Sequence, residues 1–431
     1  METAGHQAVS WRHFSVSNYS RIVVVGLGYI GLPTAAVFAD HGLEIVGVDV
    51  NPRVVDSVNR GRPHFGEPNL DALVRRVVES GKLRATLEME PGDAFIIAVP
   101  TPLVSHGAEA RPDISYVEEA AKAIAPVLAP GNLVILESTS PVGTTEMLAS
   151  IFADSRPDLT FPPQRGERAQ VQIAHCPERV LPGNILDEVV NNARVIGGMT
   201  RKCAHAALGL YRIVVRGECR LTNARTAELT KLTENAFRDV NIAFANELSF
   251  ICDRLKINVW ELIRLANLHP RVNILQPGPG VGGHCIAVDP WFIVATNPDE
   301  ARLIRGARLI NDSKPAYVCA RVAARAAALK RPVIACLGLT YKKDVDDLRE
   351  SPAVTIVRQL AEEQIGELLV VEPNIAELPA DLRDLGLQLH DFDDALERAN
   401  LVLLLVDHMS FLQIDREVLN DKFVIDTRGI W

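Results

Sequence analysis

The chain has 431 residues, 48% of them hydrophobic and 23% charged, and carries a formal net charge of −9. That length exceeds one compact core and fits two or three domains of ordinary size. The composition is that of a soluble globular protein rather than a disordered or fibrous one. The acidic balance argues against nucleic acid or a membrane surface as a partner, so an anionic ligand would need a local basic pocket.

Seven cysteines are scattered without a C-x-x-C pair or zinc-like Cys/His spacing, which reads as reduced thiols, a cytoplasmic protein and no metal site. Residues 1–20 lack a basic start followed by an apolar run and are expected to be a mobile N-terminal tail rather than a secretory signal.

From Arg21 onward, apolar runs alternate with amphipathic helices: RIVVVG, a helix over Leu32–His41, LEIVGVDV, then AFIIAVP and NLVILEST. Continuous apolar runs of this length indicate parallel strands covered on both faces. The spacing predicts a doubly wound α/β domain, a Rossmann-type nucleotide fold, over residues 21–222. Residues 223–256 contain no Pro or Gly, and apolar residues recur at Leu229, Leu232, Ala236, Val240 and Ala243, with a second stripe at Phe237, Phe244, Leu248 and Ile251. This predicts one long helix, N-capped by Asn223 and buried on two sides, as in a helix joining domains or subunits. It opens a mostly helical central domain over residues 223–328. A second α/β pattern follows over 329–431: PVIACLG, a helix near Pro352–Glu363, ELLVVEP, LVLLLVD and FVIDTRG. It predicts a second Rossmann-like domain.

GLGYIG (Gly26 to Gly31) stands between a strand and a helix. Gly26 permits the tight turn, Gly28 lets the backbone approach a pyrophosphate, and Gly31 lets helix and strand pack closely. Asp49 ends the next strand, where a carboxylate accepts from ribose hydroxyls and repels a 2′-phosphate, favouring NAD over NADP; Arg53 stands nearby. The plain alternative is a glycine turn without a cofactor.

Cys285 follows Gly280, Gly282 and Gly283 in GPGVGGHCIAVDP. A thiol there could hold an aldehyde as a thiohemiacetal, so that an alcohol is oxidised through to an acid. The other six cysteines read as small buried apolar residues. Asp289 could lie near Cys285 if the loop turns, and His284 has no companion ligand for a metal. Lys231 and Asn235 share one face of the long helix, where a merely solvated pair is the plain alternative. YKKDVDDLRESP (Tyr341 to Pro352) places Lys342, Lys343 and Arg349 in a turn before a helix, where they could meet a diphosphate or form a solvated charge run.

Together with VPTP (Val99 to Pro102), ESTSPVGTT (Glu137 to Thr145), CPERVLPGN (Cys176 to Asn184), KLTENAFRDVNIAFANELS (Lys231 to Ser249), HPRVNILQPGPGVGGHCIAVDPWF (His269 to Phe292) and DDLRESPA (Asp346 to Ala353), these motifs run along nearly the whole chain. From about Arg21 it resembles the UDP-glucose/GDP-mannose dehydrogenase family. The resemblance implies an N-terminal NAD-binding Rossmann domain, a helical central domain that forms a homodimer, and a C-terminal domain that holds UDP. It also implies a four-electron oxidation of a sugar C6 alcohol by two NAD.

By the same resemblance the catalytic positions are Cys285, Lys231, Asn235, Asp289, Glu178 and Thr139. The NAD positions are Gly26, Gly28, Tyr29, Ile30, Gly31, Asp49, Arg53, Pro100, Thr101 and Thr139. The UDP-sugar positions are Glu178, Arg179, Val180, Leu181, Lys231, Asn235, Gly282, Gly283, Lys342 and Arg349, with Arg271 reaching across the dimer. CPERVLPGN and GPGVGGHCIAVDPWF are similar to the branch that acts on UDP-N-acetylmannosamine to make a precursor of bacterial surface polysaccharide. UDP-N-acetylglucosamine and UDP-glucose are the alternatives, and a non-catalytic sensor of NAD or a nucleotide sugar would have no reason to keep the catalytic set.

Overall fold

The computed structural model describes residues 19–104, 110–180, 183–283 and 285–431; most of the expected tail, Leu181 and His284 lie outside them. Tyr19 and Ser20, assigned to that tail, are anchored: the Tyr19 hydroxyl donates to Ala206 O at 3.2 Å and Ser20 N to Asp93 Oδ2 at 2.8 Å.

The described residues form two compact units, one within residues 19–102 and 112–231, the other from 103–104, 110–111 and the described part of 232–431. The first is built on a sheet of β1 (Arg21–Val25), β2 (Glu44–Val48), β3 (Leu83–Thr86), β4 (Ala94–Ile97), β5 (Leu133–Leu136), β6 (Gln172–His175), β7 (Arg194–Gly198) and β8 (Cys219–Asn223), in the order β3-β2-β1-β4-β5-β6-β7-β8. Every neighbouring pair is parallel except β6 with β7. The strands are short and apolar because both faces are covered. Ile22 and Val24 point into one buried cluster with Phe38 and Tyr211, while Val23 and Val25 point into another with Phe95 and Phe152. The strand order reverses at β1 and β4, so their carboxyl ends form the crevice where a doubly wound sheet binds ligand.

In the second unit, β9 (Val333–Leu337), β10 (Glu367–Val371), β11 (Leu401–Leu404) and β12 (Phe423–Asp426) form a parallel sheet ordered β10-β9-β11-β12. This is the arrangement of β2-β1-β4-β5 on a second set of strands. Gly26 and Gly338, each just after its first strand, have φ of 90° and 93°.

The long helix spans Ala224–Leu255, and Asn223 Oδ1 caps it by accepting from Thr226 N at 2.8 Å. Leu232, Ala236, Asp239, Ala243 and Asn246 form its buried face, but Phe237, Phe244 and Ile251 are 67%, 54% and 46% exposed. The chain itself therefore covers one face of this helix and leaves the aromatic stripe open. Leu229, placed on the covered stripe by its spacing, is exposed as well. Polar residues on the covered face are paired. Arg308 Nη1 donates to Asp239 at 2.5 Å, Asn311 Nδ2 to the same carboxylate oxygen at 2.8 Å, and Asn246 Nδ2 to Asn311 at 2.8 Å.

Candidate active site

In the first unit the glycines of the strand–turn–helix differ in what surrounds them. A Cβ on Gly26 would lie 2.7 Å from Ala98 O, and one on Gly31 would lie 1.8 Å from Gly26 O, whereas one on Gly28 would meet nothing within 4 Å. Gly26 and Gly31 are thus demanded by the fold, and Gly28 leaves open the space that a pyrophosphate would take. Asp49 Oδ2 accepts from Leu27 N at 2.9 Å and Oδ1 from Asn51 N at 2.9 Å, which fixes the carboxylate beside the turn with lone pairs left for ribose hydroxyls. These residues fit a dinucleotide. Tyr29 stacks on Phe65 with ring centroids 4.2 Å apart and Ile30 is half-buried, while Arg53 is exposed in the first turn of the helix after Asp49. Across the switch point, Pro100 is exposed and Thr101 Oγ1 donates to Thr139 O at 2.7 Å, joining the ends of β4 and β5.

Glu178 follows β6 and is buried. Its Oε2 accepts from Arg194 Nη2 at 2.5 Å and its Oε1 from Arg179 N at 2.8 Å. Arg179 and Val180 are half-buried beside it. Arg194 also reaches Glu137 Oε1 at 3.4 Å and lies over the Tyr211 ring, 4.5 Å from its centroid. Glu137 is fully buried, and burial first, then the neighbouring Glu178, pushes its carboxyl up to about 7. Sequence reasoning did not single out Glu137, Arg194 or Tyr211.

In the second unit Cys285 is exposed, on a loop that ends in the helix Asp289–Thr296. Asp289 N donates to Cys285 O at 2.8 Å, so the loop makes a helical turn between thiol and carboxylate. Asn235 and Asp289 are both buried, and Asn235 Nδ2 donates to Asp289 Oδ2 at 2.5 Å. One of the two amide N–H groups of Asn235 is thus given to the carboxylate. Lys231 precedes it by one turn and is half-buried. The start of the loop is pinned where Gly278 N donates to Asn246 Oδ1 at 2.9 Å.

Packing explains Gly282 and Gly283 without a ligand. A Cβ on Gly282 would lie 2.7 Å from Glu350 O and 2.8 Å from Tyr341 Cβ, and one on Gly283, whose φ is 74°, would lie 2.8 Å from the Tyr341 ring. Gly283 N donates to Arg349 O at 3.1 Å. The cysteine loop therefore rests on the turn that carries Lys342 and Arg349. Lys342 is exposed there, whereas Arg349 grips Asp347 through Nε at 2.9 Å and Nη2 at 2.6 Å. Arg271 is exposed after the helix Val259–Ala266, and its N–H donates to His269 Nδ1 at 3.3 Å.

Among the described residues no cluster of His, Cys, Asp and Glu could hold a metal ion, and no helix is long and apolar enough to cross a membrane.

Three sequence models of the UDP-glucose/GDP-mannose dehydrogenase family match: the NAD binding domain over residues 20–215, the central domain over 225–313 and the UDP binding domain over 335–431. An NDP-N-acetyl-D-galactosaminuronic acid dehydrogenase from Ralstonia nicotianae is 60% identical over 96% of this chain and 97% of that protein. A UDP-N-acetyl-D-mannosamine dehydrogenase from Yersinia pestis is 57% identical over 96% of this chain and 100% of that protein. Among solved structures, the UDP-N-acetyl-mannosamine dehydrogenase from S. aureus matches with a TM-score of 0.85 and 43% identity, covering 95% of each chain.

Proposed function

Because the chain belongs to the UDP-glucose/GDP-mannose dehydrogenase family and is an NAD-dependent enzyme acting on a UDP-sugar, we propose that it oxidises UDP-N-acetyl-D-mannosamine at C6 to UDP-N-acetyl-D-mannosaminuronate. The observation that carries the reaction type is Cys285, exposed on a loop whose next helix begins at the buried, hydrogen-bonded Asp289. The choice of sugar rests on the mannosamine dehydrogenases at 56–57% identity over nearly their whole length. The product would serve bacterial surface polysaccharide synthesis.

NAD, when bound, accepts a hydride, and two are consumed in turn. In the first half-reaction Lys231 and Asp289 hold the group that takes the C6 hydroxyl proton, with Thr139 positioning a water for it. The Cys285 sulfur then adds to the aldehyde carbon, which keeps it from escaping. Lys231 stabilises the thiolate and the adduct oxygen. The remaining amide N–H of Asn235 is available to that same oxygen, since one is given to Asp289. Loss of the second hydride leaves a thioester at Cys285. A water positioned or deprotonated by Glu178 or Asp289 hydrolyses it, releasing the acid and restoring the thiol.

The exposed stripe of Phe237, Phe244 and Ile251 is read as the homodimer surface, with Arg271 serving the partner's substrate.

A second reading, oxidation of an N-acetylgalactosamine nucleotide, is favoured by the relative at 60% identity. The discriminating experiment follows NADH at 340 nm with UDP-N-acetylmannosamine, UDP-N-acetylglucosamine, UDP-N-acetylgalactosamine and UDP-glucose, with no epimerase present. The proposal expects two NADH per UDP-N-acetylmannosamine and the highest kcat/KM with it. Preference for the galactosamine sugar would replace the substrate, and no NADH from any of the four would remove the reading.

A further inference from the structure

The two nucleotide-type folds place a carboxylate at the same point and use it differently. Asp49 ends the strand beside β1 and accepts from Leu27 N and Asn51 N. Glu372 ends β10, beside β9, and accepts from Leu339 N at 2.7 Å and Asn374 N at 2.9 Å. In the first fold the carboxylate is half-exposed at the crevice. In the second it is buried, because His408, fully buried after β11, sets its Nε2 3.0 Å from Glu372 Oε2.

The other edge of that imidazole meets two donors. Asp344 N lies 2.9 Å and Asn374 Nδ2 3.0 Å from His408 Nδ1. A backbone N–H can only donate, so Nδ1 is an acceptor and the ring proton is on Nε2, facing Glu372. Asp344 itself has a φ of 57°, a left-handed conformation that a residue with a Cβ holds only when its surroundings impose it. They do so through consecutive residues: His408 takes the Asp344 N–H, and Met409 N donates to Asp344 Oδ1 at 3.0 Å. Thr340 Oγ1 donates to Lys342 O at 2.8 Å and Tyr341 N to Asp347 O at 3.0 Å, which close the same turn.

We propose that His408 is a positioning residue for the nucleotide sugar: through Nδ1 it holds Asp344 in the left-handed conformation and so sets the turn that presents Lys342 to a nucleoside diphosphate and supports Gly283 of the cysteine loop. This rests on the reading that the turn takes the UDP moiety. The histidine converts a ribose-type carboxylate site into an anchor for a loop, which explains why the second fold can duplicate the first without taking a dinucleotide in the same way.

The test measures UDP binding by titration calorimetry on the full chain, with NAD binding as the control. In His408→Asn a side-chain oxygen can take the place of Nδ1; in His408→Gln the polar end moves toward Glu372 and the Nδ1 acceptor is lost. The expected result is a Kd for UDP about tenfold weaker in His408→Gln, within about threefold of the parent in His408→Asn, and unchanged NAD affinity in both. If His408→Gln loses NAD binding as well, the fold has failed and Asp344→Ala, at an exposed position, decides instead, with the same tenfold weakening expected. Equal UDP affinity in every variant overturns the role of His408 alone. Equal loss in His408→Asn and His408→Gln with NAD affinity kept also overturns it, since the contact through Nδ1 would not matter. Failure of the parent protein to bind UDP overturns the reading of the turn and this inference with it.

Discussion

The Asn235 amide donates to the Asp289 carboxylate at 2.5 Å, from the covered face of the long helix to the first residue of the helix that follows the cysteine loop. Both side chains are buried, so the contact is made in a poorly solvated place where the loss of a donor is costly. Asn235→Ala is expected to cost about 1–3 kcal/mol in urea denaturation and to lower kcat roughly ten- to a hundredfold by loosening the carboxylate proposed to hold the acceptor of the C6 hydroxyl proton. Asn235→Asp should be worse, since it sets a second carboxylate against the first. An Asn235→Ala protein with parental stability and turnover would show that the contact does not position Asp289.

Cys285→Ser tests the covalent route. A hydroxyl in place of the thiol is a far poorer nucleophile at neutral pH, so acid formation should fall by about a thousandfold or more. UDP and NAD affinities should hold, because Cys285 is exposed and its replacement removes little packing. The measurement is chromatographic quantification of the uronate beside NADH release. Acid produced at near the parental rate would exclude a thioester.

The dinucleotide turn offers a paired test with opposite outcomes. Gly28→Ala adds a methyl where nothing stands within 4 Å, so the thermal midpoint should stay within about 1–2 °C while NAD affinity falls at least tenfold, the methyl taking the space of the pyrophosphate. Gly31→Ala drives a methyl to 1.8 Å from Gly26 O and should destabilise the first unit by about 2 kcal/mol or more, with or without NAD. Unchanged NAD affinity in Gly28→Ala would mean that the cofactor does not approach this turn.

Which parts of this were legible follows from what each residue needs. Runs such as RIVVVG and ELLVVEP announce strands covered on both faces, and a glycine whose Cβ has no room announces a turn, because those constraints are local. The cap at Asn223 was visible for the same reason. Partners brought together only by strand order were not. Glu137 and Arg194 meet because β7 lies beside β6, which lies beside β5, and the reversal of β7 leaves no trace in its apolar pattern. Gly282 and Gly283 are needed for packing because an added Cβ would meet Tyr341, a residue far along the chain. A signal for Glu372 did exist: VEPN repeats the carboxylate and the asparagine two residues later of VDVN at Asp49 and Asn51. Nothing comparable marked His408.

The exposed stripe on the long helix had its position set by heptad-like spacing, but the pattern could not say whether the same chain or a second copy would cover it. Phe237, Phe244 and Ile251 lie on one face and leave large apolar surface open. Phe244→Glu is therefore expected to convert a dimer to a monomer in sedimentation or light-scattering measurements at micromolar concentration. The effect on one isolated chain should be within about 0.5 kcal/mol, as at other exposed sites. A Phe244→Glu protein that stays dimeric would place the interface elsewhere.

Glu137 links the buried network to pH. Its oxygens accept from Tyr211 Oη at 3.1 Å and Thr34 Oγ1 at 3.4 Å, and Arg194 is shared with Glu178. Burial, then repulsion from Glu178, raises its carboxyl from the ordinary 4.5 to about 7. Between those values the folded protein keeps the proton while the unfolded chain has released it, so the folded state binds more protons and this contribution to stability falls as pH rises through the window. It is fully present below 4.5, lost by about 7 and flat above. Glu137→Gln is neutral throughout, and its amide can still accept from Tyr211 on one side and donate to the Thr34 hydroxyl on the other. The variant should therefore lose that decline and be more stable than the parent at pH 8 by about 1–3 kcal/mol. Urea denaturation at pH 5, 6, 7 and 8 provides the comparison. Parallel stability curves for the two proteins would show that Glu137 already carries its charge in the fold, held by Arg194 against the cost of burial.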